Sequence, residues 1–199
     1  MTVDRSPLES YRELFVEANS RWEGALEIHE IVPQRQLNLR IAARDAARWT
    51  DQLGVALPSE ANTLVHTMHG WIAWLGPDEW LLVSASDQSL TAERLRAAAV
   101  PAPASVVDVS AARAIVQIGG GAARQLLAHG CALDLHPGAF PAGRCAQTRI
   151  ALANAIIAAP VTVQADFDAA PIYQVLVYVS FARYLADWLL DAAIDVETT

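Results

Sequence analysis

The chain has 199 residues, a formal net charge of -8 at pH 7 and a mean hydropathy of +0.23. Its 14 basic residues are all arginines and lie scattered along the sequence, whereas a nucleic-acid-binding protein needs a concentrated basic surface. Nucleic acid is therefore not an expected partner. No apolar run approaches the roughly 20 residues that a transmembrane helix needs, so a membrane is not an expected partner either.

The first 30 residues are predicted to form an N-terminal arm with little core of its own. Residues 8–18 place apolar side chains, among them Leu14 and Phe15, at helical spacing and predict a short helix. The chain starts with acidic residues where a secretory signal would need a basic start and an apolar stretch. We therefore expect a cytoplasmic protein whose arm lies across the rest of the domain or across another chain.

Residues 31–103 are predicted to form a first lobe, a sheet with two helices. Apolar Leu37, Leu39 and Ile41 alternate with polar neighbours, which is the pattern of a half-buried strand. The turn at residues 76–79 contains proline and aspartate and predicts a hairpin between the strands on either side. The predicted elements are a strand over 34–41, a helix over 43–53, three strand pieces between 62 and 84, and a helix over 88–99.

Residues 104–199 are predicted to form a second lobe. A glycine-rich turn at Gly119 to Gly121 separates a strand from a short helix that ends at Gly130. The predicted elements are strands ending at 108, over 113–118, over 150–163 and over 172–179, a further strand after the Pro/Gly loop, and a helix over 181–193. Two successive sheet-plus-helix lobes predict a single α+β domain over 31–199.

The last predicted helix has one apolar face, with Ser180 as its N-cap and Arg183 and Asp187 as an i,i+4 ion pair. The residues predicted to be buried on that face are Phe181, Tyr184, Leu185, Trp188, Leu189 and Ala192.

The glycine turn lies where a phosphate-binding loop would lie, after a strand and before a helix. However, Arg124 occupies the third conserved position of the dinucleotide fingerprint, and the chain contains no lysine for a Walker motif. We therefore interpret the glycines as a tight turn that allows close backbone packing.

The histidines do not predict a metal site. His66 and His69 are three positions apart, and on a strand that spacing points the two side chains to opposite faces. His129 and His136 flank a helix end and a Pro-Gly turn, where histidine serves as a cation or a hydrogen-bonded turn residue.

An acid/base site built from Asp108, Asp134 and His136, with Ser110 or Ser180 as nucleophile, is poorly supported. The sequence has no Gly-x-Ser-x-Gly elbow, and serine and aspartate at these positions also fit turns and caps. The residues therefore predict no catalytic, cofactor-binding or metal-binding side chain in this chain.

Two further features concern surface and core. Cys131 and Cys145 lack a Cys-x-x-Cys spacing and are predicted to be free, buried thiols. Trp71 and Trp74 cannot both face inward on a regular strand, so one of them is expected at a protein contact. The apolar fraction of 53% favours a subunit with surplus apolar surface, although an alanine-rich composition explains it nearly as well.

Four segments together resemble one known family. They are LGPDEWLLV (75–83), VVDVSAARAIVQIGGGAARQLLAHGCALDL (106–135), HPGAFPAGRCAQTRIAL (136–152) and VLVYVSFARYLADWLLDAA (175–193). In order and spacing, over about residues 34 to 194, the chain resembles the gamma subunit of heterotetrameric sarcosine oxidase.

This resemblance implies a complex that oxidatively demethylates sarcosine to glycine, transfers the one-carbon unit to tetrahydrofolate and produces hydrogen peroxide. It implies alpha, beta and delta subunits as partners, which hold the FAD, FMN, NAD, zinc and tetrahydrofolate, and no cofactor in the gamma chain. It also implies two ferredoxin-like sheet-plus-helix lobes, as in the folate-binding aminomethyltransferase fold. The expected role is a structural and assembly subunit without catalytic activity alone.

Two other functions remain open from the sequence. A stand-alone folate-binding or aminomethyltransferase-type protein would carry a Lys-Gly-Cys-aromatic-x-Gly-Gln-Glu motif. Residues 138–147 are only faintly similar, since they lack the lysine, and Thr148 stands where the glutamate would be. A regulatory module that binds a small molecule between the lobes is the third possibility.

Overall fold

A computed structural model describes residues 6–32, 34–85, 91–99, 104–160 and 170–196. Within these ranges the chain forms two five-stranded sheets with helices, so the predicted α+β class is confirmed. None of the helices in the described ranges is long and apolar enough to span a membrane.

The elements are named here in chain order. The strands are β1 (Glu27–Glu30), β2 (Gln34–Ile41), β3 (Leu64–Thr67), β4 (Gly70–Gly76), β5 (Glu79–Ala85), β6 (Ala104–Asp108), β7 (Arg113–Gly119), β8 (Arg144–Ile150), β9 (Ala153–Ala159) and β10 (Ile172–Tyr178). The α-helices are α1 (Arg12–Trp22), α2 (Thr50–Leu53), α3 (Ala92–Ala99), α4 (Ala123–Ala128) and α5 (Val179–Ala192). Short 3-10 helices occupy Glu9–Tyr11, Ala43–Trp49 and Ala193–Asp195.

The chain divides into two compact units. We call Met1–Val32, Ala111–Ala142 and Gln147–Thr199 the terminal unit, and Pro33–Ser110 and Gly143–Ala146 the central unit. The first 32 residues thus group with the end of the chain. The arm over 1–30 and the lobe border near 103 stay sequence-based predictions.

The central unit is built on the sheet β3-β4-β5-β2-β6. Leu37, Leu39 and Ile41 alternate along β2 and are at most 2% exposed, as their spacing predicts. They belong to a core that includes Trp80 of β5 and Leu95 of α3. The predicted hairpin is present, because β4 pairs antiparallel with β5 across the turn between Gly76 and Glu79.

The predicted helix over 43–53 is mostly a 3-10 helix, and only Thr50–Leu53 is α-helical. Ala46 and Trp49 both pack against the core of the central unit, and a 3-10 turn of three residues places them on one side. The helix stops where expected, because Gly54 adopts a left-handed φ of 71° and its N–H donates to Thr50 O at 2.8 Å.

The terminal unit is built on the sheet β1-β7-β10-β9-β8. β7 and β10 pair antiparallel over their whole length, and β1 adds an antiparallel edge strand to β7. Helix α1 contacts β1, and Asn19 of α1 binds the backbone N–H and C=O of Ile28 at 2.8 and 2.9 Å. These bonds fix the N-terminal helix on the sheet.

Helix α5 contacts β7, β9 and β10, but the prediction of its buried face was partly wrong. Phe181 is 41% exposed, whereas Ala182, Leu185, Ala186 and Leu189 are fully buried. Tyr184 and Trp188 are half-buried. Small Ala182 and Ala186 allow close approach to the sheet, so the buried stripe lies one position further along the helix than its large side chains indicate.

The two polar predictions for α5 were also wrong. Ser180 lies inside the first turn, and the N-cap residue Tyr178 makes no side-chain capping bond. Asp187 accepts a hydrogen bond from the Tyr11 hydroxyl at 2.7 Å, and Arg183 Nε lies 3.5 Å from Pro7 O. Both side chains therefore bind the N-terminal segment instead of each other.

Candidate functional site

The glycine turn has a structural role. Gly120 has a φ of 98°, and a Cβ at this position would lie 2.3 Å from Ala25 O. Ala122 N donates to the same carbonyl at 2.9 Å, so the turn packs directly on the backbone that precedes β1. The following helix α4 has only six residues. These contacts support the interpretation that the glycines allow close backbone packing.

Asp108 and Ser110 form a local turn in the central unit. Asp108 Oδ1 accepts hydrogen bonds from Ser110 Oγ at 2.5 Å and from Ser110 N at 3.0 Å. Burial alone would raise the pKa of Asp108, but these hydrogen bonds, together with the charges of Arg35 and Arg96, outweigh burial and lower the pKa. Ser110 Oγ in turn accepts from Gln36 N at 3.0 Å. Within the described residues, Ser110 thus bonds a carboxylate and the backbone, not a histidine.

Asp134 and His136 are likewise engaged in turns, in the loop after α4. His136 N donates to Asp134 Oδ1 at 2.9 Å, and Gly138 N donates to His136 Nδ1 at 3.1 Å. Leu135 anchors the loop, because its carbonyl accepts a hydrogen bond from the buried Tyr173 hydroxyl at 3.2 Å. Ser180, the other predicted nucleophile, is exposed at the start of α5. These groups hold the loop on the terminal unit.

The histidines and cysteines occupy separate positions. His66 lies on β3 with a pKa lowered by burial, and His69 lies in the turn that follows. Both cysteines are buried and free, as predicted. In the part of the chain that the structure describes, no three His, Cys, Asp or Glu side chains are grouped closely enough to hold a metal ion.

Cys145 has a buried thiol in the central unit. Its Sγ donates to Thr63 O at 3.3 Å and lies 3.6 Å from Trp74 O. Burial raises the pKa of this thiol to about 11, so the reactive thiolate is scarce at neutral pH. Trp71 of β4 is 3% exposed, and Trp74 is half-buried against the core of the central unit, so the expectation that one of them lies at a protein contact stays a prediction.

The terminal unit carries a polar surface hollow that the sequence analysis missed. We call it the arginine pocket; its volume is about 480 Å³. Its walls include Arg113, Arg149, Asn154 and Tyr178, and Leu176 contributes to its lining. These side chains come from β7, β8, β9 and β10. No local motif could have revealed them, because only the pairing of the strands brings them together.

A second hollow lies between α1 and the C-terminal end of α5. This helix groove has a volume of about 530 Å³ and is lined by Leu14, Trp22, Leu190 and Ile194 among others. Ile194 is 70% exposed and Leu14 is 45% exposed. Large apolar side chains in such a hollow are typical of a protein contact.

The chain matches a family model described as sarcosine oxidase, gamma subunit family, over residues 41–195. Sarcosine oxidase subunit gamma of Arthrobacter sp is 31% identical over 194 residues, covering 96% of this chain and 90% of the relative. The protein of the same name from Corynebacterium sp. (strain P-1) is 29% identical with the same coverage.

Two solved structures have a similar fold. A chain of the heterotetrameric sarcosine oxidase from Corynebacterium sp. U-96 in complex with pyrrole 2-carboxylate matches with a TM-score of 0.84 and 28% identity, over 98% of this chain and 97% of that one. The glycine cleavage system aminomethyltransferase T from Bartonella henselae matches with a TM-score of 0.68 and 12% identity, over 88% of this chain and 48% of that one. The second likeness concerns the fold alone.

The predicted resemblance is therefore confirmed, and so is the likeness to the aminomethyltransferase fold. The family match spans most of the described elements, from the end of β2 to the 3-10 helix after α5. Because this match and the full-length relatives agree, the chain belongs to the sarcosine oxidase gamma subunit family.

Proposed function

We propose that this chain is a non-catalytic structural and assembly subunit of a heterotetrameric sarcosine oxidase. The complex oxidatively demethylates sarcosine to glycine, passes the one-carbon unit to tetrahydrofolate and produces hydrogen peroxide. The observation that carries the proposal is the family match over residues 41–195 together with relatives that align along nearly their whole length.

The local geometry supports a structural role. Gly120, Asp108, Ser110, Asp134 and His136 are each engaged in turns or backbone packing. Each of the four polar residues makes a hydrogen bond that holds its own turn. These contacts support a structural role for the residues that make them.

The surface of the terminal unit supports assembly with other chains. Val16 and Leu152 are 69% and 68% exposed, in addition to the exposed side chains of the helix groove. Burying such side chains against a partner would remove apolar area from water, at about 25 cal/mol per Å².

The proposal assigns the chemistry to the partners. Alpha, beta and delta subunits would hold the FAD, FMN, NAD, zinc and tetrahydrofolate, and the complex would work in the cytoplasm. These assignments are part of the proposal, and isolating the complex tests them.

The test is co-expression of tagged chain with the three partner subunits, followed by affinity purification, subunit analysis and a peroxide assay with sarcosine. We expect all four subunits and flavin to co-purify with sarcosine-dependent peroxide production. Removing this chain should lower the yield of assembled complex, and the chain alone should produce no peroxide. Peroxide production by the lone chain, or failure to co-purify with the partners, would contradict the proposal.

The stand-alone aminomethyltransferase alternative is not favoured. Cys145, in the segment that faintly resembles the folate-dependent motif, points its thiol at two backbone carbonyls inside the central unit. Titrating the lone chain with tetrahydrofolate separates the two functions, because a stand-alone folate protein would bind it without partners.

A further inference from the structure

The arginine pocket is a positive site on an acidic chain. The chain carries a net charge of -8, yet no Asp or Glu is found among the described residues that line the pocket. Elsewhere on the chain Arg21, Arg40 and Arg144 each bind a carboxylate at 2.5 to 2.7 Å. The guanidinium of Arg149 is exposed and has no hydrogen bond or ion pair to the described residues.

Tyr178 orients one of the two arginines. The sheet register places Tyr178 directly opposite Arg113, and the Arg113 Cζ lies 4.9 Å from the centre of the tyrosine ring. Stacking on an aromatic ring restricts the guanidinium plane of Arg113. The exposed guanidinium of Arg149 is the planar fork that suits a carboxylate, which accepts two parallel hydrogen bonds.

Apolar side chains complete the pocket. Ile156 and Leu176, opposite each other on β9 and β10, are 5% and 1% exposed and belong to its lining. Tyr178 in the pocket wall is 50% exposed, and Val179 and Phe181, which follow it in the chain, are each 41% exposed. An apolar surrounding lowers the local dielectric constant and strengthens an arginine-carboxylate pair once water is displaced.

We propose that the arginine pocket docks an acidic segment of a neighbouring subunit, with a carboxylate on Arg149 and an apolar side chain beside Tyr178. This inference rests on the proposed function and adds a contact surface to it. Charge complementarity favours a carboxylate-bearing occupant, and the combination of arginine, tyrosine and apolar neighbours is that of an energetic centre in protein interfaces.

The first experiment measures the affinity of the purified chain for the complex of the other three subunits. Arg149→Glu should weaken binding by about tenfold or more, and Arg113→Gln with Arg149→Glu should weaken it further. The effect should shrink as salt rises from about 0.05 M to about 0.5 M, because exposed charges are screened. Arg44→Glu is the matched control, since Arg44 is 82% exposed and lies in the central unit.

The second experiment identifies the occupant. Thr148→Cys, next to Arg149, is labelled with a photo-crosslinker; Cys131 and Cys145 are buried and should stay unlabelled. In the assembled complex we expect a crosslink to a partner peptide that contains Asp or Glu. Circular dichroism and thermal melting of each variant confirm that the fold is intact.

The outcomes separate the docking surface from the proposed function. Failure of the unaltered chain to bind the partners overturns both. Normal assembly of the unaltered chain and of the double variant overturns the docking surface alone, as does a crosslink only to a second copy of this chain. Succinate binding to the lone chain that Arg149→Glu abolishes, with assembly unchanged, would overturn docking and make the pocket a small-carboxylate site.

Discussion

At the scale of single residues, Gly130 lies directly against the indole ring of Trp188 in the terminal unit. A Cβ at position 130 would lie 2.5 Å from Trp188 Cζ2 and 3.0 Å from Ala151 N. The Gly130 carbonyl also accepts a hydrogen bond from Ala151 N at 2.9 Å, which joins the end of α4 to the turn between β8 and β9. The glycine is therefore required by close approach to both a ring and a backbone.

Gly130→Ala should destabilise the chain by about 1 to 3 kcal/mol, because the added methyl forces the indole and the backbone apart. Urea unfolding followed by circular dichroism measures this loss. Gly121→Ala is the control, since no atom of the described residues lies within 4 Å of a Cβ there, and its effect should stay within about 0.5 kcal/mol. Combining Gly130→Ala with Trp188→Phe should cost less than the sum of the single changes. Equal stability of the two alanine variants would contradict the packing argument.

Glu30 shows how burial changes a single carboxyl group. Its Oε1 accepts a hydrogen bond from the Ser6 hydroxyl, while its Oε2 is buried and has no hydrogen-bond partner among the described residues. Burial raises the pKa of Glu30 above its ordinary 4.5, although the Ser6 bond and the Arg12 charge act in the opposite direction. The folded state therefore holds the Glu30 proton more tightly than the unfolded chain does.

The free energy of unfolding should thus fall as pH rises from about 4.5 through the folded-state pKa of Glu30. At neutral pH the carboxylate is ionised, and the full free-energy penalty of burying its charge is present. Glu30→Gln keeps an acceptor for Ser6 but cannot ionise. We expect this variant to melt at a higher temperature than the unaltered chain at pH 7, with the difference shrinking toward pH 4.5. Thermal melts across this range measure it. A difference that stays constant with pH would show that the Glu30 charge is not the cause.

At the scale of elements, α5 is fixed by small residues as much as by large ones. Ala182, Leu185, Ala186 and Leu189 face the terminal-unit sheet with no exposed area, whereas Phe181 remains partly exposed. A helix with two alanines on its buried face can pack closer to a sheet than one with only large side chains. The fully buried Leu185 therefore carries more of the packing of α5 than the larger Phe181.

Leu185→Ala should cost about 2 to 5 kcal/mol of unfolding free energy, since it leaves a cavity in a dense core. Phe181→Ala, four positions earlier on the same helix, should cost less than about 1 kcal/mol in the lone chain. Chemical denaturation of the two variants gives the comparison. If Phe181→Ala were the more damaging change, the buried face of α5 would be the one predicted from its large side chains.

At the scale of the whole molecule, each compact unit contains one buried cysteine. Cys131 lies in the terminal unit and Cys145 in the central unit. Cys131 and Cys145 are only 7% and 1% exposed in the folded state, so we expect labelling of each to require opening of the structure around it. The two thiols therefore report on different parts of the chain, Cys131 on the segment after α4 and Cys145 on the backbone around Thr63 and Trp74.

The two single variants Cys131→Ala and Cys145→Ala each keep one cysteine. The labelling of that remaining thiol is measured at increasing urea concentration. Both remaining thiols should be unreactive at pH 8 without urea, and each should become reactive only as the structure around it opens. Mass spectrometry of the labelled chains gives the midpoint for each thiol, and the fully unfolded chain is the positive control. Rapid labelling of either thiol in the native chain would contradict its burial.

The sequence alone determined the features that depend on near neighbours along the chain. The alternation of apolar and polar residues predicted β2, the turn residues predicted the hairpin of β4 and β5, and Gly54 predicted a helix end. Each of these patterns involves only a few neighbouring residues. The four segments that identified the family are also contiguous, so the likeness and the α+β class could be predicted without coordinates.

The tertiary structure decided what depends on distant parts of the chain. Helical spacing gave the period of α5 but not which stripe is buried, since that depends on how closely Ala182 and Ala186 approach the sheet. The strand order β1-β7-β10-β9-β8 joins segments that are far apart in sequence. The same strand order creates the arginine pocket, because the pocket residues lie on four of these strands. Arg113, Arg149 and Tyr178 carry no shared motif, because their meeting results from strand pairing and not from sequence spacing.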